Sequence, residues 1–172
     1  MDSLFNRWKT KIPNYSSEFK FLFDRLSSKG GTEGAKKISL GKHFSTNYEL
    51  YIYAFFLGLY EEEYSPIPKD KKKLKFSHHI QHWGSKSNKI GRKDFSRIQE
   101  YIFTALVAKT DINLIDLDKG IISEKEVIQE LLLTLEAYTN GGLTLIKEKL
   151  EDNPNYYLQP TSFLDMIMVN IR

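Results

Sequence analysis

Apolar residues recur every three or four positions along most of the chain, which is the period of an amphipathic α-helix. This pattern predicts helices over residues 3–12, 16–30, 48–60, 94–108, 123–138 and 162–171. Residues 35–44 differ, because Ile38, Leu40 and Phe44 occupy alternating positions that favour one short strand. We therefore expect a mainly α protein, a single-domain helical bundle with one short strand.

The predicted helix over residues 48–60 is apolar around nearly its whole circumference. A helix at the surface of a small protein needs a polar face toward water, and this one has no wide polar face. Its apolar area exceeds what a small bundle buries alone, so we expect it at the centre of the core or in contact with a second copy. The candidate oligomer interface consists of Tyr51, Phe55 and Leu59.

Three segments are predicted to interrupt helices. Pro66 and Pro68 push the residues before them out of the helical region and open a polar connection. Residues 76–83 fit one helical turn, and the polar residues 85–91 are expected to form a mobile loop. The Asn-Gly-Gly run at 140–142 is expected to break the helix that precedes it.

The composition excludes several classes of protein. The chain has 172 residues and no cysteine, which excludes disulfides, cysteine-ligated metals and thiol nucleophiles. Its longest apolar stretch, residues 50–60, is much shorter than the ~20 residues that span a bilayer. From the first residues we expect no secretory signal. We therefore expect a cytoplasmic protein that has no cofactor and no membrane partner.

Positive charge is concentrated in the middle of the chain. Residues 69–97, the basic segment, contain ten Lys or Arg side chains and two carboxylates, whereas residues 98–172 contain six and twelve. Such a segment binds phosphates by releasing condensed counterions. The alternative is a solvated loop that the acidic final third neutralises. The candidate nucleic-acid-binding residues are Lys69, Lys71, Lys72, Lys73, Lys75, His78, His82, Lys86, Lys89, Arg92, Lys93 and Arg97.

Histidines in the basic segment raise the question of a metal site. On a helix, His78 and His82 would emerge on one face, where a divalent ion could bridge them with His43 as a third ligand. The spacing is not a specific metal motif, and the surrounding positive charge disfavours a cation. We expect these histidines to help contact phosphate, and we expect no metal.

The sequence contains no self-contained catalytic signature. No Gly-Lys-Ser/Thr motif follows the glycines at 30–34, and no nucleophile elbow is present. Acidic residues such as Asp111 and Asp116 could gather around a metal in a small enzyme or toxin, but helix caps explain them more simply. We therefore predict no catalytic residues and favour a non-enzymatic role.

Aromatic residues make up 13% of the chain. In single-strand-binding proteins, aromatic side chains interleave with basic ones and stack on bases. Here many of them lie on the 48–60 helix, while Phe76 and Trp83 fall inside the basic segment. We expect most of them in the core or in a subunit contact, and we expect phosphate contacts to position the protein without reading bases.

Two regions carry a resemblance to a known family. Residues 36–40 (KKISL), Ser45-Thr46-Asn47 and residues 54–59 (AFFLGL) form a pattern of short strand, polar turn and hydrophobic helix. Residues 135–143 (LEAYTNGGL), followed by Ile146 and Leu150, form a late helix with small residues. These regions resemble the DndE family of DNA sulfur modification (phosphorothioation) proteins.

The resemblance covers residues 35–150, with Lys36, Lys37 and Lys42 flanking the matching strand. It implies a ribbon-helix-helix-like segment, self-assembly, and DNA binding as an accessory component with a preference for nicked duplex. Residues 1–34 are then an N-terminal helical extension. Residues 35–172 form the helical core domain with a basic loop at 69–93.

Together these observations predict a non-enzymatic DNA-binding accessory protein of a bacterial DNA modification or anti-phage defence system. It is expected to contact the phosphate backbone through the basic loop, to form a homo-oligomer and to meet other subunits of the system. The alternative is a protein-interaction (scaffold) subunit whose basic loop binds an acidic protein partner.

Overall fold

The structure, a computed structural model, describes residues 3–27 and 42–168. Its α-helices within these ranges are α1 (Leu4–Lys9), α2 (Lys20–Leu26), α3 (Asn47–Tyr60), α4 (Ile98–Lys109), α5 (Leu114–Asp118), α6 (Glu124–Asp152) and α7 (Ser162–Met168). Short 3-10 helices occupy Ser17–Phe19, Ile80–His82, Asn88–Ile90 and Tyr156–Leu158. The mainly α fold class is confirmed. Within the same ranges no helix is both long enough and apolar enough to cross a lipid bilayer.

The core is centred on α3, which packs along the middle of α6. The two backbones approach very closely at their crossing. A Cβ atom added at Gly142 would lie 1.8 Å from the Ala54 carbonyl oxygen, and one added at Gly58 would lie 2.0 Å from the Tyr138 carbonyl oxygen. Only glycine leaves room for this contact, so the crossing depends on these two positions.

Helix α6 is continuous through residues 140–142, so the prediction of a break there is wrong. An interior glycine costs a helix about 1 kcal/mol relative to alanine, which is why the run reads as a helix stop. All three residues are buried, and the contact between α6 and α3 offsets that cost. Tertiary packing therefore overrides the local propensity.

Helix α3 is buried within the chain itself. Tyr51 and Phe55 are both 0% exposed, and Leu59 is half-buried against the same core. The interface prediction is therefore corrected, because Tyr51 and Phe55 offer no surface to a second copy. The long helix α6 and the N-terminal segment supply the apolar cover that the sequence did not reveal.

The N-terminal segment belongs to this core. Trp8 and Leu22 are 0% exposed, and Phe19 and Phe23 are 2% exposed within the same hydrophobic cluster as α3 and α6. The boundary expected at residue 34 lies outside the described residues. Residues 3–27 therefore share one core with the chain from residue 42 onward.

A two-stranded antiparallel sheet joins β1 (Asn14–Ser16) to β2 (Lys73–Lys75). Neither strand is the one expected from the sequence over residues 35–44. Most of residues 35–44 lie outside the described residues. Phe44, at the end of that segment, forms a single parallel bridge with Ser27. Strands of three residues are too short for alternation to identify them.

Candidate nucleic-acid interface

The structure divides the predicted nucleic-acid-binding residues into two groups. One residue, Arg92, is half-buried. The others are exposed to solvent: Lys69, Lys71, Lys72, Lys73, Lys75, His78, His82, Lys86, Lys89, Lys93 and Arg97. The exposed lysines lie on two local structures, which we call the lysine ribbon (residues 69–75) and the closed loop (residues 84–95).

The lysine ribbon is tied to the N-terminal segment by its backbone. The Ser17 amide donates to the Lys72 carbonyl oxygen at 2.9 Å, and the Phe76 amide donates to the Pro13 carbonyl oxygen at 2.9 Å. The β1–β2 pairing lies between these two bonds. Lys73 and Lys75 leave the same face of β2, because side chains alternate along a strand. The ribbon therefore presents its cations from an ordered backbone.

Buried polar groups anchor the ribbon from the core side. The Glu136 carboxylate, 5% exposed on α6, accepts hydrogen bonds from the Asn14 backbone N and Nδ2, both at 2.8 Å. The Tyr51 hydroxyl donates to the Asn14 carbonyl oxygen at 2.8 Å. Burial raises the pKa of Tyr51 well above its usual value, and the charge of Glu136 raises it further. Tyr51 therefore stays a neutral donor, and β1 is held on its inner side.

The closed loop is joined at its base and along its length. The Phe95 amide donates to the Gly84 carbonyl oxygen at 2.8 Å, and the backbones of Ser87 and Arg92 exchange bonds of 3.0 and 2.9 Å. Gly91 ends the Asn88–Ile90 turn with φ +63°, in the left-handed region that favours glycine. These bonds join the two ends of residues 85–91, and the mobility expected from their polarity stays a prediction.

The Arg92 side chain holds the closed loop together and joins it to α3. Its Nη2 and Nε donate to the Ser85 carbonyl oxygen at 2.7 and 3.0 Å, and its Nη1 lies 3.4 Å from Glu49 Oε1 on α3. Its guanidinium carbon is 5.1 Å from the ring centroid of Tyr48 and 5.7 Å from that of Phe95. These contacts occupy the guanidinium, so we leave Arg92 out of the proposed phosphate contacts.

Few carboxylates neutralise the basic segment. In the described parts of the chain, the ion pairs of its Lys and Arg side chains are Lys71–Glu18 at 4.0 Å and Arg92–Glu49 at 3.4 Å. Both carboxylates precede the segment, and none of the described acidic residues after residue 97 pairs with it. Neutralisation by the acidic final third is therefore not seen within the described chain.

The histidines do not converge on one point. His78 lies outside the 3-10 helix Ile80–His82, so the helical spacing that would align it with His82 is absent. His79 Nδ1 lies 2.5 Å from the Thr10 carbonyl oxygen, and His43 Nε2 lies 2.6 Å from the Tyr157 carbonyl oxygen. The described residues contain no group of three or more His, Asp or Glu that could hold a metal ion.

The aromatic rings at the surface are not the two that the sequence singled out. Phe76 is 4% and Trp83 0% exposed, because both belong to the core. Phe95 is 38% exposed and Tyr101 is 54% exposed. The Arg97 guanidinium carbon lies 5.8 Å from the Tyr101 ring centroid. The four-residue spacing of Arg97 and Tyr101 at the start of α4 is the sequence signal for this pair.

Comparison with protein-family models, curated proteins and solved structures gives no match to this chain. The resemblance to the DndE family therefore stays a prediction from the sequence. The function has to follow from the surface chemistry of the lysine ribbon and the closed loop.

Proposed function

We propose that this chain is a non-enzymatic DNA-binding protein that contacts the phosphate backbone through the lysine ribbon and the closed loop. The observation that carries the proposal is the exposure of Lys72, Lys73 and Lys75 on a hydrogen-bonded ribbon without paired carboxylates among the described residues. Lys86, Lys89 and Lys93 add to this charge from the closed loop.

The physical basis of binding is release of counterions. Each phosphate that a lysine neutralises releases condensed cations, so affinity falls steeply with salt, with a slope of about 0.9 per contact on logarithmic axes. Ammonium groups on flexible side chains contact phosphates without reading base edges. The ordered backbone of both structures lowers the entropy lost on binding. The proposed binding is therefore salt-sensitive and tolerant of sequence.

The proposed setting follows from the sequence resemblance. A chain similar to the DndE family would act as an accessory component of a cytoplasmic DNA modification or anti-phage system, together with other subunits. Self-association belongs to this proposal, but it requires a surface other than Tyr51 and Phe55, which are 0% exposed.

The test is charge reversal on the lysine ribbon. The triple variant K72E/K73E/K75E should lose retardation of a DNA duplex in gels across a salt series, while its helical circular dichroism stays unchanged. The matched control is K119E/K125E/K149E, which makes the same change in net charge at exposed lysines elsewhere. Absence of duplex binding by the unaltered protein at low salt, or equal loss in the two variants, would overturn the proposal.

A second candidate function is a scaffold subunit whose basic loop binds an acidic protein. It is favoured by a separate apolar surface, since Leu114, Ile115 and Ile121 are 48%, 63% and 68% exposed. Exposed apolar side chains that lie close together in the chain can supply a protein contact. Two results together would favour this candidate. The purified protein would carry no nucleic acid, and it would bind polyglutamate and DNA with equal affinity at one ionic strength.

A further inference from the structure

The end of the basic segment carries two solvent-facing aromatic rings beside cations. Phe95 closes the loop at residue 84, and Tyr101 lies in the first turn of α4. Arg97, between them in the chain, places its guanidinium carbon 5.8 Å from the Tyr101 ring centroid. Lys93 and Arg97 are both exposed here. Most other rings of the chain, in contrast, pack in the core.

An exposed ring beside a cation has the chemistry of a base-stacking site. Each nucleic-acid base offers a flat π-face, which stacks on an aromatic ring irrespective of sequence. A guanidinium beside the ring strengthens the contact and also attracts the phosphates on either side of the base. In duplex DNA the faces of the bases are stacked on one another, so these rings are suited to an unpaired strand.

Two exposed carboxylates lie in this region, Asp94 before α4 and Glu100 in its first turn. Asp94 is exposed, and its Oδ1 accepts from Ser96 Oγ at 2.8 Å and from the Ser96 amide at 3.2 Å. These hydrogen bonds lower the pKa of Asp94, first through the hydroxyl and then through the amide. The carboxylate therefore stays charged and orders the turn before α4. Lys93 and Arg97 balance the charges of Asp94 and Glu100, so the net positive charge that attracts the phosphates comes from the lysine ribbon and from Lys86 and Lys89 of the closed loop.

We propose that Phe95 and Tyr101, with Arg97 between them, form a stacking site for unpaired bases, so that this chain binds single-stranded nucleic acid through bases as well as phosphates. This inference rests on the proposed phosphate binding and specifies its substrate. DNA and RNA strands share the required chemistry. The lysine ribbon then holds the backbone, and the two rings add the part of the affinity that depends on bases.

The experiment compares three labelled probes at one ionic strength: an oligothymidylate of about 20 nucleotides, an abasic strand of equal length, and the matched duplex, since a single-strand-binding domain covers roughly 4 to 16 nucleotides. The variant F95A/Y101A should bind oligothymidylate about 5-fold more weakly or worse, which corresponds to at least about 1 kcal/mol of stacking. The single variant Y101A, which leaves the Arg92–Phe95 contact in place, should bind the abasic strand and the duplex as the unaltered protein does. An oligouridylate arm shows whether RNA is accepted.

The matched control is F21A/Y60A, which removes one Phe and one Tyr that are 43% and 45% exposed elsewhere on the surface. Two single variants separate stacking from folding: Y101A should lose oligothymidylate affinity, and Y101F should keep it because the ring remains. If Y101A loses affinity equally for all three probes, or if F95A/Y101A keeps its full affinity for oligothymidylate, the inference is overturned and the proposed phosphate binding is not affected. Failure of the unaltered protein to bind the duplex at low salt overturns the proposed function itself.

Discussion

Glu136 and Asn14 join the long helix α6 to the edge of the lysine ribbon. One carboxylate oxygen, Glu136 Oε1, accepts both the backbone amide and the side-chain amide of Asn14 at 2.8 Å. Asn14 also pairs with Lys75 across the β1–β2 sheet. A buried residue of the core thereby fixes β1, and β1 pairs with β2, the strand that carries Lys73 and Lys75.

Replacing Glu136 with alanine should lower the free energy of unfolding by about 2–3 kcal/mol. The reason is that both Asn14 donors would be left without their acceptor in a site that is nearly closed to water. Denaturant unfolding measures this change. E136Q is the control, because its amide oxygen can still accept, and it should lose less. Equal stability of E136A and the unaltered protein would show that the bond pair does not hold the ribbon.

Arg92 and Lys93 are neighbours in the chain, but the structure predicts opposite consequences for their loss. R92A should lower stability by about 2 kcal/mol, because it removes the charge-assisted bonds to the Ser85 carbonyl oxygen and the packing on Tyr48. K93A should leave stability unchanged and reduce the salt dependence of DNA binding by about one phosphate contact. Thermal unfolding and salt-dependent gel retardation measure the two effects.

If R92A is as stable as the unaltered protein but binds DNA more weakly, Arg92 belongs to the phosphate-binding surface. R92K serves as a control, since a lysine retains the charge but cannot reproduce the two bonds that one guanidinium makes to a single carbonyl oxygen. It should recover only a small part of the stability lost in R92A.

Helix positions were predictable because their signals are local. The capping box of Ser123 and Glu126 fits the start of α6, where the Ser123 amide donates to Glu126 Oε2 at 2.8 Å and the Glu126 amide donates to Ser123 Oγ at 3.2 Å. Helix α3 begins at Asn47, one residue before the predicted start at 48, and the Thr46 amide donates to Glu49 Oε2 at 3.3 Å there. Such contacts span three or four residues, so one stretch of sequence contains both partners.

The remaining features depend on partners that are distant in the chain. Strands β1 and β2 are three residues long, and no pattern in either one identifies the other. Charge counting places Arg92 among the phosphate contacts because it cannot reveal that the guanidinium is occupied by Ser85 and Glu49. Phe95 falls inside the basic segment in the sequence, but its exposure and that of Tyr101 are properties of the fold.

Two buried tyrosines predict a loss of stability in alkaline solution. The Tyr157 hydroxyl donates to the Ile146 carbonyl oxygen at 3.0 Å, and Tyr51 is 0% exposed. Burial is the main cause that raises the pKa of both side chains above the usual value. The unfolded chain therefore loses these protons first, near pH ~10. Their contribution to stability is fully present below that pH and is lost as pH rises toward the folded-state pKa.

The measurement is the free energy of unfolding as a function of pH, from neutral to strongly alkaline solution. Y157F should lower stability by about 1 kcal/mol at neutral pH through its lost hydrogen bond, and its alkaline decline should be shallower. A profile of Y157F parallel to that of the unaltered protein would mean that Tyr157 does not contribute to the decline.

The crossing of α3 and α6 makes the sharpest prediction, because glycine there is a requirement of packing. Alanine at Gly142 would place its Cβ 1.8 Å from the Ala54 carbonyl oxygen, a distance that no rotamer relieves, so the two helices must separate. We expect G142A to lower the free energy of unfolding by about 3 kcal/mol or more, the upper range for an overpacked core.

Gly120 is the control, since a Cβ atom there would meet nothing within 4 Å and its φ of +70° costs alanine only about 1–2 kcal/mol. Denaturant unfolding of G142A and G120A compares the two penalties. If G142A is as stable as G120A, the α3–α6 backbones do not approach as closely as described, and the continuity of α6 through residues 140–142 loses its physical explanation.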